Sequence, residues 1–268
     1  MTFHAHPDDE CIGCGGVMRK AFEQGHRVVL VVATRGELGE IPEGLLAEGE
    51  ELWQRRVKET HASADILGAA RVEFLGYTDS GMIGEPTNDA PGTFWTASVE
   101  EAAQRLADIL IEEQADVLTA YDAHGGYGHP DHIQVHRVGL RAAEIAGTPR
   151  VYQATMNRDH AARVFKELAS RAGELGFELP EIREDSQDFG SPESVLTAAV
   201  DVSSYLGYKK AAMRAHASQI AVDSPFFALS DGVGQRAFGI EHYTLLAGSR
   251  GAGHGEHGWE DDLFAGID

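Results

Sequence analysis

Short β-branched runs alternate with longer stretches of helical periodicity along most of the chain. Apolar runs occur at residues 27–33 (RVVLVVA), 71–75 (RVEFL), 116–120 (DVLTA), 150–154 (RVYQA), 195–200 and 242–247. Between them the apolar positions recur at three- and four-residue spacing near 15–24, 45–67, 98–113, 131–146, 159–175 and 203–217. Strand runs this solid are buried on both faces, and helices between them make the crossovers that parallel strands need. The pattern predicts an α/β fold: a Rossmann-like, mostly parallel sheet covered by helices on both faces, with a C-terminal cap region. Alternation is regular to about residue 155 and looser beyond it. Residues 1–155 read as the catalytic core, and 156–268 as a cap and sheet extension in the same globular unit. Only Met1, Thr2 and Phe3 precede the first polar cluster, so the first strand is very short or starts upstream of Met1. The Gly-rich stretch 248–258 reads as a loop.

In such sheets ligands bind beyond the carboxyl ends of the strands. Three polar segments fall there: residues 4–10 (HAHPDDE), 34–40 (TRGELGE) and 121–132 (YDAHGGYGHPDH). His6 and Asp9 stand three apart across Pro7, and His129 and His132 three apart across Pro130, each Pro suiting a first helical turn. One His-Pro-Asp turn is ordinarily a helix cap. Two of them, both rich in histidine and both following strands, point instead to a metal site. His6, Asp9 and His132 make a set of two imidazoles and one carboxylate with an open position, the pattern of catalytic zinc, whose bound water is acidified toward ~7. Asp8 stands beside a ligand as a candidate general base. His129, backed by Asp131, reads as a base–orienter pair able to act as electrophile or acid. The same ligand set serves non-haem iron. The βα alternation speaks against the double-sheet oxygenases, although Fe²⁺ within the same hydrolase site stays open.

Charge narrows the partners. The net charge is −21 over 268 residues, which opposes nucleic acid and anionic lipid. No apolar run approaches the ~20 residues of a bilayer span. Two cysteines make no disulfide framework. A cytoplasmic enzyme with a small-molecule substrate is the expectation, and the acidic exterior is compatible with closed homo-oligomers.

The segments AHPDDE, followed by Gly13, Gly15 and Gly16, and GGYGHPDH resemble the LmbE/PIG-L family of zinc-dependent N-acetyl-sugar deacetylases. Asp79–Met82 (DSGM), residues 56–59 (RVKE), 215–219 (AHASQ) and 258–266 (GWEDDLFAG) resemble its mycothiol branch, which holds the N-acetylglucosaminyl-inositol deacetylase and the mycothiol S-conjugate amidase. The resemblance covers almost the whole chain. It implies one Zn²⁺ per chain on His6, Asp9 and His132, and Asp8 as base. It gives His129, partnered by Asp131, the roles of oxyanion stabiliser and proton donor to the leaving amine. It further implies Tyr127 as an assisting group in the oxyanion pocket, and Arg56, Asp79, Met82 and Glu40 as contacts to sugar or inositol. The expected reaction is removal of an N-acetyl group from a GlcNAc-containing, GlcNAc-inositol-like small molecule. The alternatives are S-conjugate amidase or other amide hydrolase activity and, outside enzymes, a metal- or sugar-binding protein without turnover. Compared with the mycothiol enzymes the chain is short after Glu40 and across 157–191, where the family shapes its substrate pocket.

Some residues have plainer readings. Cys11 and Cys14 read as small packing residues rather than a redox pair. The loop at Gly13–Gly16 lacks the GxGxxG spacing of a dinucleotide site. His4 reads as a packed strand histidine, and His216 divides evenly between structural hydrogen bonding and a pocket wall.

Overall fold

A computed structural model describes residues 1–169, 190–222, 224, 227, 238–251 and 255–267. Its centre is a seven-stranded sheet in the order β3-β2-β1-β4-β5-β7-β6. The strands are β1 (Thr2–His4), β2 (Val28–Val32), β3 (Ala69–Phe74), β4 (Val117–Tyr121), β5 (Arg150–Thr155), β6 (Ala198–Asp201) and β7 (Ile240–Ala247). The first five are parallel, whereas β7 runs antiparallel to β5, and β6 to β7.

Side chains of β2 alternate between the two faces, as strand geometry requires. Val29 and Val31 join Phe3, Phe94, Leu106, Leu118 and Val138 in one apolar cluster. Leu30 and Val32 join Val17, Met18, Leu67, Ala212, Met213 and Tyr243 in the other. Helices α4 (Val99–Glu112) and α6 (Pro130–Ala146) cover the first face. On the second lie α1 (Asp9–Gly13), α2 (Gly15–Glu23), α3 (Leu52–Leu67) and α8 (Leu206–Ala215). Each fully buried Leu in these layers is worth about 1.5–3 kcal/mol. Two further helices in chain order are the single turn α5 (Gly125–Gly128) and α7 (Arg158–Ala169). No helix among the described residues is long and apolar enough to cross a membrane.

Several expected boundaries shift for identifiable reasons. The helix expected from residue 45 begins at Leu52, because Gly44 and Gly49 adopt positive φ and Glu51 with Gln54 forms a capping box. The run 195–200 divides into a 3₁₀ turn at Glu193–Val195 and the edge strand β6. The helix expected over 203–217 opens as a 3₁₀ turn, Ser203–Tyr205, and continues as α8. Residues 170–175 of the expected helix 159–175, most of 157–191, and His254 in the 248–258 loop lie outside the described residues. β1 has three residues, all buried and paired with Leu30, Val31 and Val32.

The order of strands positions the site. From β1 the chain winds outward through β2 and β3, then returns to place β4 against the opposite edge of β1. The loops leaving β1 and β4 therefore diverge above neighbouring strands, where α/β sheets open their ligand crevice. Those two loops carry residues 4–10 and 121–132.

Candidate active site

The β1 loop turns sharply at Asp8, whose backbone sits at φ 99°, ψ −30°, a conformation that non-glycine residues avoid. The turn sends the Asp9 carboxylate back onto the His6 backbone N–H (2.9 Å). On the β4 side, Pro130 starts α6 and His129 caps it, its Nδ1 accepting the N–H of Asp131 at 3.1 Å. Gly125 makes the approach possible: at φ +64° a Cβ there would lie 2.6 Å from that of His132.

Together the loops bring the three expected ligands into one triangle. His6 Nδ1 lies 3.5 Å from Asp9 Oδ2, Asp9 Oδ2 lies 3.4 Å from His132 Nε2, and His132 Nε2 lies 3.3 Å from His6 Nδ1. Tetrahedral bonds of about 2.0–2.2 Å space neighbouring donors about 3.3–3.6 Å apart, so the donor set fits a small divalent cation. His129 stands beside it, its ring centroid 4.5 Å from that of His6 and 5.3 Å from that of His132.

The far nitrogen of His6 faces carboxylates. Its Nε2 is 3.2 Å from Asp131 Oδ2 and 3.5 Å from Asp79 Oδ1. Burial opposes the His6 imidazolium, but its contacts with Asp131, Asp79 and Asp9 prevail and raise its pKa well above the usual value. Carboxylates behind a ligating histidine fix its tautomer and ring orientation. Asp131 also accepts from the Ser80 backbone N–H (2.9 Å) and hydroxyl (2.5 Å). The expected His129–Asp131 pair is hydrogen-bonded through the Asp131 backbone, while the Asp131 carboxylate bonds His6 and Ser80. The helix start decides this: an N-cap side chain receives a backbone N–H of the first turn.

That hydrogen bond requires an unprotonated Nδ1 on His129, which leaves the proton on Nε2. Burial, with His6 and His132 adjacent, pushes the His129 pKa down to about 4. His129 is thus a neutral donor. Asp8 is displaced the opposite way. Burial raises its carboxyl to about 6, a rise that the Arg56 guanidinium opposes and Asp9 reinforces. Tyr127, 58% exposed on α5, holds its ring 4.9 Å from that of His132.

Among the expected sugar contacts, Arg56 is the one most engaged with the protein itself. It is 3% exposed and donates to the carbonyls of Gly36 (2.9 Å) and Pro7 (2.5 Å) and to Asp8 Oδ2 (3.4 Å). Gly36 permits this approach, since a Cβ there would meet the guanidinium at 2.1 Å. Arg56 therefore braces the Asp8 turn from beneath. Asp79 is likewise committed, to His6 and to the backbone N–H groups of Gly81 (2.9 Å) and Leu38 (3.4 Å). Met82 stays exposed. Glu40 is also exposed, its carbonyl accepting from Gln219. Neither is drawn into the histidine cluster.

Comparison with known proteins accords with this geometry. Residues 1–143 match the family described as PIG-L, GlcNAc-PI de-N-acetylase. Along its whole length the chain is 45% identical to the 1D-myo-inositol 2-acetamido-2-deoxy-alpha-D-glucopyranoside deacetylase of Acidothermus cellulolyticus, covering 94% of that protein.

The chain belongs to the PIG-L family.

A second relative of the same description, from Streptomyces griseus, is 43% identical over 100% of this chain and 88% of its own. The N,N'-diacetylchitobiose deacetylase from Pyrococcus horikoshii has a similar structure (TM-score 0.57, 25% identity, covering 91% of this chain and 82% of that one). As a PIG-L member the protein is a hydrolase of amide carbon–nitrogen bonds, a deacetylase.

Reading the sequence alone missed Ser80, which seats Asp131, and missed Glu10 and Ser63, with which His216 makes the structural hydrogen-bonded group that was one of its two readings. Besides His216, one signal pointed to that group: three consecutive acids, Asp8, Asp9 and Glu10, of which the expected chemistry used two. His4 is a packed residue, hydrogen-bonded to Thr2 and Tyr121. Cys11 and Cys14 are buried free thiols.

Proposed function

We propose that this protein removes the N-acetyl group from a GlcNAc-containing small molecule with an inositol-like aglycone, using Zn²⁺ held by His6, Asp9 and His132. The observation that carries this reading is the donor triangle of 3.3–3.5 Å with a carboxylate of raised pKa, Asp8, beside it. The relatives named as 1D-myo-inositol 2-acetamido-2-deoxy-alpha-D-glucopyranoside deacetylases support the choice of substrate.

A divalent cation on these residues supplies Lewis acidity toward the amide carbonyl and lowers the pKa of water. The protein's own groups do the rest. Asp8 takes the proton from the attacking water, and its pKa of about 6 keeps it mostly ionised at neutral pH yet able to hold that proton. His129 donates its Nε2–H to the oxygen that becomes negative as the carbonyl is attacked, a contact that strengthens in the transition state. Tyr127 adds a second donor from the open side. A neutral His129 pinned through Nδ1 is poorly suited to protonate the leaving amine, so Asp8 returns its proton to the nitrogen as the carbon–nitrogen bond breaks. Arg56 keeps the Asp8 carboxylate in place.

The test measures primary-amine release from N-acetylglucosaminyl-inositol, with N-acetylglucosamine and a mycothiol S-conjugate in parallel, by zinc-loaded protein of measured metal content. Turnover of the inositol glycoside, lost in Asp8→Ala with the metal retained, is expected. Preference for the conjugate would make the protein an amidase, and turnover retained in Asp8→Ala would overturn the assignment of the base.

A further inference from the structure

The backbone of Asp8 requires an explanation of its own. A non-glycine residue at φ 99° is strained and persists only where its surroundings over-determine it. Here they do. The Asp8 N–H donates to Glu10 Oε2 at 2.9 Å. Its carbonyl accepts from Cys11 Sγ (2.9 Å) and from the N–H groups of Cys11 (3.2 Å) and Ile12 (3.4 Å). The carbonyl contacts belong to the start of α1 and form with any side chain at position 8. The contact to the Asp8 N–H comes from a side chain, and that side chain is held from outside the loop.

Glu10 is 0% exposed. Its second oxygen, Oε1, accepts the Ser63 hydroxyl at 2.5 Å and lies 2.6 Å from His216 Nε2. Ser63 is on α3, and His216 ends α8 at 0% exposure. One carboxylate thus divides its work, Oε1 anchoring to two outer helices and Oε2 holding a single backbone N–H. Glu10, Cys11 and His216 lie close enough to suggest a second metal site. Glu10 and Cys11 are spent otherwise: both Glu10 oxygens are engaged, and the Cys11 thiol faces the Asp8 carbonyl, while His216 Nδ1 has no hydrogen-bond partner.

We propose that Glu10, oriented by His216 and Ser63, is a positioning residue for the reaction. It holds Asp8 in its left-handed conformation and thereby aims the base. This rests on Asp8 being the base. A purely structural role for the group is a weaker account, because a buried ion pair contributes little net stability compared with an apolar packing. Nor does stability alone explain why one oxygen is reserved for the Asp8 N–H.

The experiment compares Glu10→Met, Glu10→Gln, His216→Gln and Asp8→Asn, with kcat and KM expressed per metal-loaded, folded chain. Glu10→Met is expected to lower kcat about 10²-fold with KM within about threefold, since a misplacement near 1 Å costs that much. Glu10→Gln retains an oxygen for the Asp8 N–H and is expected to restore most of kcat. In the Asp8→Asn background, Glu10→Met should cost little more, because residues that act through one another are not additive. Full kcat in a folded Glu10→Met protein, or an additive loss in the Asp8→Asn background, overturns the inference. His216→Gln keeps it falsifiable if Glu10→Met does not fold: its kcat is expected to fall with KM unchanged, and an unchanged kcat overturns the orienting role. Wild-type turnover in Asp8→Asn would instead refute the base assignment, a separate result.

Discussion

The Asp131 backbone N–H donates to Nδ1 of His129 at 3.1 Å, while the Asp131 carboxylate lies 3.2 Å from Nε2 of His6. One residue thus sets the state of two histidines with two different parts of itself. Its peptide keeps His129 a neutral donor, and its carboxylate steadies the outer nitrogen of His6.

Asp131→Asn tests that division. The backbone contact survives, so His129 keeps its tautomer, but the acceptor behind His6 becomes an amide. Metal affinity is expected to fall 10–100-fold, read by competition with a chelator, with kcat recovered at saturating metal. A kcat loss of several hundredfold that excess metal does not repair would return Asp131 to the role of a partner for His129.

His129 variants test the neutral-donor role. His129→Ala removes the Nε2–H and is expected to lower kcat by 10²–10³, about 2.7–4 kcal/mol of transition-state stabilisation. His129→Gln, which can place an N–H nearby, should recover part of the loss. If His129 works as an acid, Gln recovers nothing and the alkaline limb of the rate profile disappears.

Arg56→Lys separates bracing from sugar binding. A lysine cannot span the carbonyls of Pro7 and Gly36 and the Asp8 carboxylate as the guanidinium does. kcat is expected to fall at least tenfold with KM for the inositol glycoside nearly unchanged. A rise in KM at constant kcat would identify Arg56 as a substrate contact after all.

Stability should depend on pH through His242 on β7. Burial holds its pKa down to about 4, with His160 and Arg163 lowering it further and Glu193 opposing. Between pH 6.5 and 4 the unfolded chain binds the proton that the folded one refuses, so stability rises with pH in that window. The stabilisation is complete above 6.5 and about 3 kcal/mol of it is lost by pH 4. His242→Gln should flatten the dependence of the urea midpoint on pH over that interval. An unchanged slope would show that the imidazole is charged in the fold.

Much of the architecture was legible locally. Alternating β-branched runs and helical spacing depend on near neighbours in the chain, so β2, β4, β5, α2, α4 and α6 fall close to their expected places. The residues that cluster were legible too, because His6 with Asp9 and His132 with its Pro-led turn each lie within one helical turn. Caps and glycine conformations blurred the edges, as where Gly49 and the Glu51–Gln54 box delay α3 to Leu52.

The sequence by itself thus determined the elements, the clustered histidine and carboxylate types and the family. Only the tertiary structure decided which atoms face each other. It turned the Asp131 carboxylate to His6, withdrew Arg56 beneath Asp8, and brought Glu10, Ser63 and His216 together from three elements. The reason is physical. Spacing along one helix or strand fixes the direction of a side chain, but a buried hydrogen bond between residues 53 or 206 positions apart depends on how whole layers pack, and no local pattern encodes that.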